Sequence, residues 1–266
     1  MKVKNKVIIV TGGGSGMGRE LVLNLLAMEA KVAAIDINEV TLNETIDIAK
    51  SSADSLKTFV LDITNKAKVE ETVLQIIKAF GAVDGIINNA GIIQPFKKVN
   101  DLDFDTIDRV MNINFYGTLF LIKALLPHLL TRPEAHIVNI SSMGGFLPVP
   151  GQTIYGASKA AVKLLTEGLN SELAETNVKV SVVFPGAVAT KITENSGIAK
   201  PTTSSNEQGK IKPLPAVDAA KIIIVGMEKN SYRILVGKDA KFLDLYSRFN
   251  PKSAARFIRK KMSGLL

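Results

Sequence analysis

Short β-branched runs alternate with amphipathic segments of helical length from Lys6 to Val236, and no other property of this chain restricts its fold so tightly. Strand, helix and next strand of one sheet form a right-handed crossover. A long series of such units therefore builds a mostly parallel sheet covered by helices on both faces. The strand-like runs fall at 6–10, 31–35, 56–61, 83–87, 135–140, 178–184 and 232–236. Helical periodicity occupies 19–28, a stretch from Glu39 onward, 66–80, 101–130, 154–174 and 217–228. The expected architecture is α/β and doubly wound, with about seven mostly parallel strands and helices on both faces. Residues 1–237 are expected as one domain, with 191–215 as a loop and 238–266 as a basic helical extension. Ligands of such sheets bind beyond the strand C-termini, where Gly12, Asp36, Asp62, Asn88, Ser142 and Pro185 fall.

The first turn of the series carries a local signal. The run at 6–10 leads into Thr11-Gly12-Gly13-Gly14-Ser15-Gly16-Met17-Gly18 and then into the helical stretch. Glycines at 12, 16 and 18 let the backbone turn tightly and approach a pyrophosphate, which a helix N-terminus holds with its free N–H groups and dipole. The second run is followed by Asp36, where a carboxylate can accept hydrogen bonds from the adenosine ribose of a dinucleotide and repel a 2′-phosphate. Ser15 precedes Gly16, and no Arg or Lys follows Asp36 closely, so NAD is expected in preference to NADP. Asp36 is also a candidate N-cap for the helix from Glu39.

Further along, 138–163 holds Ser141 and Ser142, a Gly/Pro-rich loop, then Tyr155 and Lys159 in a helical segment. Residues four apart share one helix face. A phenol with a reference pKa of about 10 is a poor acid or base at neutral pH, and a neighbouring ammonium favours the phenolate. Tyr155 and Lys159 thus read as a proton-transfer pair. Such a pair on a surface helix is common and means little alone; its company elsewhere in the chain gives it meaning.

Composition excludes several alternatives. With no cysteine there is neither a disulfide framework nor a thiolate metal site, which fits a reducing, cytoplasmic setting. His128 and His136 are too few for a zinc site and read as structural. No uninterrupted apolar run reaches the roughly 18 residues of a membrane span, since the candidate at 118–130 contains Lys123 and Pro127. The net charge of +8 resides between Lys229 and Lys261, which hold ten Lys/Arg against two Asp/Glu; the remaining 23 of each sign cancel. Whole-protein nucleic-acid binding is therefore not expected.

In order along the chain, Thr11-Gly12, Gly16 and Gly18, Asp62, Asn88-Asn89-Ala90-Gly91, Asn114 in NFYG, Ser142, Tyr155-x-x-x-Lys159, and Pro185-Gly186 followed by Thr190 resemble the short-chain dehydrogenase/reductase family. The resemblance covers positions 11–190 and implies a Rossmann fold binding a nicotinamide cofactor. It implies Tyr155 as acid/base, Lys159 as the group that lowers its pKa and holds the nicotinamide ribose, and Ser142 as donor to the substrate carbonyl, with Ser141 the weaker candidate. Asn114 would anchor a water that relays protons to Lys159. Thr11, Gly12, Ser15, Gly16, Met17, Gly18 and Asp36 would hold the phosphates and adenosine. Asp62 and Ile63 would meet the adenine, Asn89, Ala90 and Gly91 would line the cofactor, and Pro185, Gly186, Val188 and Thr190 would flank the carboxamide. No metal is required.

The function these features imply is interconversion of a secondary alcohol and a ketone by hydride transfer. The alternative is a catalytically silent nucleotide-binding sensor, which would have no need of all four positions Asn114, Ser142, Tyr155 and Lys159. Met143, Phe146, Leu147, Pro148, Val149, Ile154 and Ile192, with no Arg near Ser142, suggest an apolar alcohol or ketone. Residues 191–215 would fold over the site as a lid. The segments 101–130 and 154–174 would pair subunits in a homodimer or homotetramer. The tail at 241–250 would turn Phe242, Leu243, Tyr246 and Phe249 to the core. At 254–262 it would place Ala255, Phe257, Ile258 and Met262 opposite a basic face, which could touch an anionic membrane or pack on the protein itself.

Overall fold

The computed structural model describes residues 1–198 and 212–262. The first half alternates β1 (Val7–Thr11), α1 (Gly16–Ala27), β2 (Lys31–Asp36), α2 (Glu39–Ala49), β3 (Leu56–Val60), α3 (Lys66–Phe80) and β4 (Gly85–Asn88). Then come α4 (Phe104–Met111), a π-turn (Asn112–Gly117), α5 (Thr118–Leu130), β5 (Ala135–Ile140), α6 (Thr153–Glu172) and β6 (Val178–Pro185). The last part holds β7 (Val188–Ala189), α7 (Ile192–Asn195), β8 (Leu214–Pro215), α8 (Ala216–Glu228), β9 (Arg233–Val236), α9 (Lys238–Phe249) and α10 (Pro251–Lys261).

The main sheet is parallel throughout, in the order β3-β2-β1-β4-β5-β6-β9. Because successive strand residues point to opposite faces, Ile8 and Val10 enter a core with α1 and α8, while Val7 and Ile9 enter a second with α3 and α5. Central strands buried on both faces explain why β1 reads as a continuous apolar run rather than an alternating one. The strand order reverses between β1 and β4, which opens a crevice at their C-terminal ends.

Helix starts follow from local chemistry. Asn38, Asn65 and Asp103 accept the backbone N–H three residues on and cap α2, α3 and α4. Asn38, not Asp36, is thus the cap of α2. The segment expected at 101–130 is helical from Phe104, with its middle widened into the π-turn; Asp101 ends a short 3₁₀ turn. It spans 27 residues and contains an 18-residue window of mean hydropathy 1.4, long and apolar enough to cross a bilayer. Yet Leu121, Ile122, Leu125 and Leu129 are buried in the second core. Of the expected loop at 191–215, residues 199–211 lie outside the described residues, so the lid does too. Its flanks hold α7 and a short parallel ladder of β7 with β8.

The tail departs from expectation. On α9, Leu243 is buried, Tyr246 is half-buried, and Phe242 and Phe249 face outward. On α10, Ala254 and Ile258 pack with Leu147 and Leu243, against the loop after β5. The stripe read from spacing alone was rotated, because Asp244 turns inward to pair with Arg233 and fixes the roll of α9.

Candidate active site

Beyond the C-terminal ends of β1, β2, β4, β5 and β6 lies a cavity of about 720 Å³. One wall is the glycine turn. Gly12 has φ +69°, and a Cβ on Gly18 would stand 1.9 Å from the Gly12 carbonyl oxygen, so α1 approaches the turn as only glycine permits. Thr11 is buried, and its hydroxyl accepts the N–H groups of Asn89 and Ala90, both at 2.9 Å. Asn89 Nδ2 donates back to the Thr11 carbonyl. Thr11 and Asn89 therefore clamp β1 to β4 across the crevice.

At the end of β2 the Asp36 carboxylate accepts from Gly14 N–H at 2.9 Å and Asn38 N–H at 3.1 Å, which locks its orientation at the cavity edge. Arg19, not weighed in the sequence reading, bonds the carbonyls of Gly14 and Thr41 nearby, and its charge is met by Glu44 at 2.6 Å. Asp62, held by Thr64, and Ile63 line the same end. Ser15, Gly16, Met17, Ala90, Gly91, Pro185, Gly186, Val188 and Thr190 all border the cavity. A twelve-residue helix starting on glycines, with a fixed carboxylate at the next strand, fits a dinucleotide.

Ser142, Tyr155 and Lys159 share this cavity. The Ser142 hydroxyl accepts the Gly144 N–H at 3.1 Å and borders the same cavity as the Tyr155 phenol. Ser141 is excluded from such a role, since its hydroxyl is buried and donates to the Lys159 carbonyl at 2.7 Å, tying α6 to β5. Lys159 is buried, donates to the Ile140 carbonyl at 2.9 Å, and is lowered by desolvation to about 8. Burial pushes the Tyr155 phenol up, and the neighbouring Ser142 hydroxyl works against that rise. Depression of Tyr155 by Lys159 is therefore not what this state shows, because the ammonium is directed at a backbone carbonyl and is itself desolvated.

Asn114 is fully buried in the π-turn. Its Oδ1 accepts from Ile92 N–H, and its Nδ2 donates to the Ile92 carbonyl and Ser158 Oγ, all at 2.9 Å. Both amide hydrogens are thereby used within the protein, while Oδ1 keeps a second lone pair that a water could meet. What it does is join the loop after β4 to α6.

Several framing residues carried no sequence signal. Buried Gln94 accepts the N–H groups of Ile154 at 2.8 Å and Tyr155 at 3.0 Å, acting as the N-cap that α6 lacks locally. Its Nε2 donates to the Gly151 carbonyl. Asp239 of α9 accepts from Ala187 N–H at 2.7 Å and fixes the loop after β6. Asn195 donates to Ser15 Oγ at 2.8 Å, and Ser196 accepts from Ile93 N–H, so α7 is pinned across the cleft. Arg109 also lines the cavity, donating to the Ser196 carbonyl. Met143, Phe146, Leu147 and Val149, expected around the substrate, pack instead with α9 and α10. The apolar cavity wall is Ile92, Ile93, Ile113, Ile140, Val188 and Ile192.

Comparison with known proteins agrees with this geometry. The profile of the family described as short chain dehydrogenase matches residues 6–200. The oxidoreductase-class protein SadH of Mycobacterium tuberculosis is 34% identical over 261 residues, covering 96% of this chain and 94% of SadH. An uncharacterized oxidoreductase of Staphylococcus aureus is 39% identical over 189 residues, covering 71% of this chain and 80% of that one. Among solved structures, a short chain dehydrogenase/reductase from Burkholderia phymatum in complex with NAD superposes with a TM-score of 0.80 at 27% identity, over 88% of this chain and 90% of that one. A Burkholderia cenocepacia short chain dehydrogenase in complex with NADP shares the fold at a TM-score of 0.80 and 24% identity, over 97% and 99% of the two chains. A parallel sheet reversing at β1 and β4, a glycine turn facing its crevice, and a family profile covering most of the chain lead to one assignment: this protein belongs to the short-chain dehydrogenase/reductase family of oxidoreductases.

Proposed function

We propose that the chain interconverts a secondary alcohol and a ketone, with NAD preferred over NADP and an apolar substrate. The observation that carries the chemistry is the convergence of Ser142, Tyr155 and Lys159 in one cavity with the glycine turn. Bound nicotinamide would accept or deliver the hydride. Ser142 would donate a hydrogen bond to the substrate oxygen, and Tyr155 would exchange the proton at that oxygen. Lys159, its pKa near 8, would hold positive charge beside a developing phenolate at neutral pH. Asn114 and Gln94 keep the two supporting loops in register.

Support for an apolar substrate is the isoleucine-rich wall of Ile92, Ile93, Ile113 and Ile192. Arg109, the arginine in that wall, is engaged by the Ser196 carbonyl. A panel of secondary alcohols and ketones scored by kcat/KM tests the reading, and a preference for polyols or small acids would overturn the substrate class. Tyr155→Phe should lower kcat by about 10²–10⁴-fold while leaving NADH binding intact. Unchanged turnover in that variant would remove Tyr155 as the acid/base.

A further inference from the structure

The outer surface of α9 and α10 is the reverse of what a solvated helical pair presents. Phe242, Leu245 and Phe249 are 57%, 58% and 82% exposed. At 100° per residue they fall within roughly 60° of one another, forming a ridge along α9. The inward face of the same helix is Ala240, Leu243 and Asp244. Phe242 touches Phe257 of α10 with ring centroids 6.4 Å apart, which carries the apolar strip onto the second helix.

Cations border this ridge. Lys238, Lys241 and Arg248 flank it on α9, and Lys261 lies roughly 40° from Phe257 on the wheel of α10. The stretch 238–261 holds eight Lys/Arg and two Asp/Glu. Both carboxylates serve the protein: Asp239 accepts Ala187 N–H, and Asp244 is buried against Arg233 and Arg248. The apolar side of α10, Ala254 and Ile258, is occupied by Leu147 and Leu243, so that side is not available to a partner.

We propose that the Phe242–Leu245–Phe249 ridge of α9 docks on an anionic phospholipid surface, with the surrounding Lys and Arg side chains at the headgroups. An aromatic ridge rimmed by cations is complementary to an apolar layer beneath a negative surface, and each such cation contributes about fivefold to partitioning. A second copy of this chain would present the same cations and repel across that rim, which disfavours a self-association face. The packing of α10 on the loop carrying Met143 and Leu147 would set the docked surface beside the substrate side of the fold, although docking does not depend on the substrate reading.

The test uses the full chain with vesicles of phosphatidylcholine alone or mixed with phosphatidylserine. Wild type should sediment with phosphatidylserine vesicles, stay in solution with phosphatidylcholine alone, and be released by salt. The variant carrying Phe242→Ser, Leu245→Ser and Phe249→Ser should lose at least about tenfold in partitioning while its circular dichroism and NADH binding remain. Since the chain has no tryptophan, Phe249→Trp supplies a single emitter, whose fluorescence should shift to the blue only with anionic vesicles. Equal partitioning of wild type and triple variant, or unchanged emission, would overturn the proposal. So would a wild-type dimer by light scattering that becomes a monomer in the triple variant with no vesicle binding, which would make the ridge a subunit contact.

Discussion

Asp36 and His136 show how one buried or fixed group sets a measurable property. The Asp36 carboxylate is held by two backbone amides at the adenosine end of the cavity, and Arg19, which bonds the Gly14 carbonyl nearby, is engaged by Glu44. A 2′-phosphate would meet a negative charge there. Wild type should therefore show a higher kcat/KM with NADH than with NADPH, and Asp36→Ala combined with Ile37→Arg should move the ratio toward NADPH. Equal constants for the wild type would contradict this. His136, fully buried in β5 with Nε2 against Ser181, is lowered to about 3, chiefly by desolvation. The unfolded chain takes up this proton near pH 6.5, whereas the folded chain refuses it until about 3. Stability from this residue is thus complete above 6.5 and falls with pH below it, at up to about 1.4 kcal/mol per pH unit. Urea unfolding from pH 7 to 4 should show that slope, and His136→Gln should flatten it.

At the scale of elements, α6 carries both Tyr155 and Lys159, yet its N-terminus is organised by a residue sixty positions earlier. Helix periodicity was readable because it repeats within the segment: α3 was located at 66–80, and α6 within two residues at either end. Its cap was not readable, since a glutamine in a loop gives no sign of which distant N–H groups it will meet. Gln94→Leu would leave the half-buried N–H groups of Ile154 and Tyr155 without their side-chain acceptor. That should cost about 2 kcal/mol in unfolding free energy. If Gln94 positions the helix that bears Tyr155, kcat should fall while the KM for the cofactor stays within about twofold, since 1 Å displacements alone can cost large factors in rate. A stability loss with unchanged kcat would confine Gln94 to a structural role.

For the whole molecule, Phe104, Tyr116 and Leu130 on the helix at 104–130 and Leu164 on α6 stay exposed in the single chain. Because α4 packs on α6, we propose that this face pairs two copies of the chain. Light scattering should give at least twice the 28.6 kDa chain mass, and Leu164→Arg should shift it toward the monomer. Short β-branched runs, period-3.6 patterns, the glycine turn and the Tyr155-x-x-x-Lys159 spacing each depend on residues adjacent or one helical turn apart, so the sequence by itself determined the layered parallel sheet and the neighbourhood of the site. Which side chains face the cavity depended on how layers stack and roll. The family resemblance already favoured Ser142 over Ser141, but only the approach of α6 to β5 shows the Ser141 hydroxyl consumed. Leu147 was drawn from the cleft because the tail packs over its loop, and Phe242 was turned outward because Asp244 is held by Arg233. Contacts of this kind join residues far apart in the chain, where no local period records the partner, and tertiary structure alone selects among them.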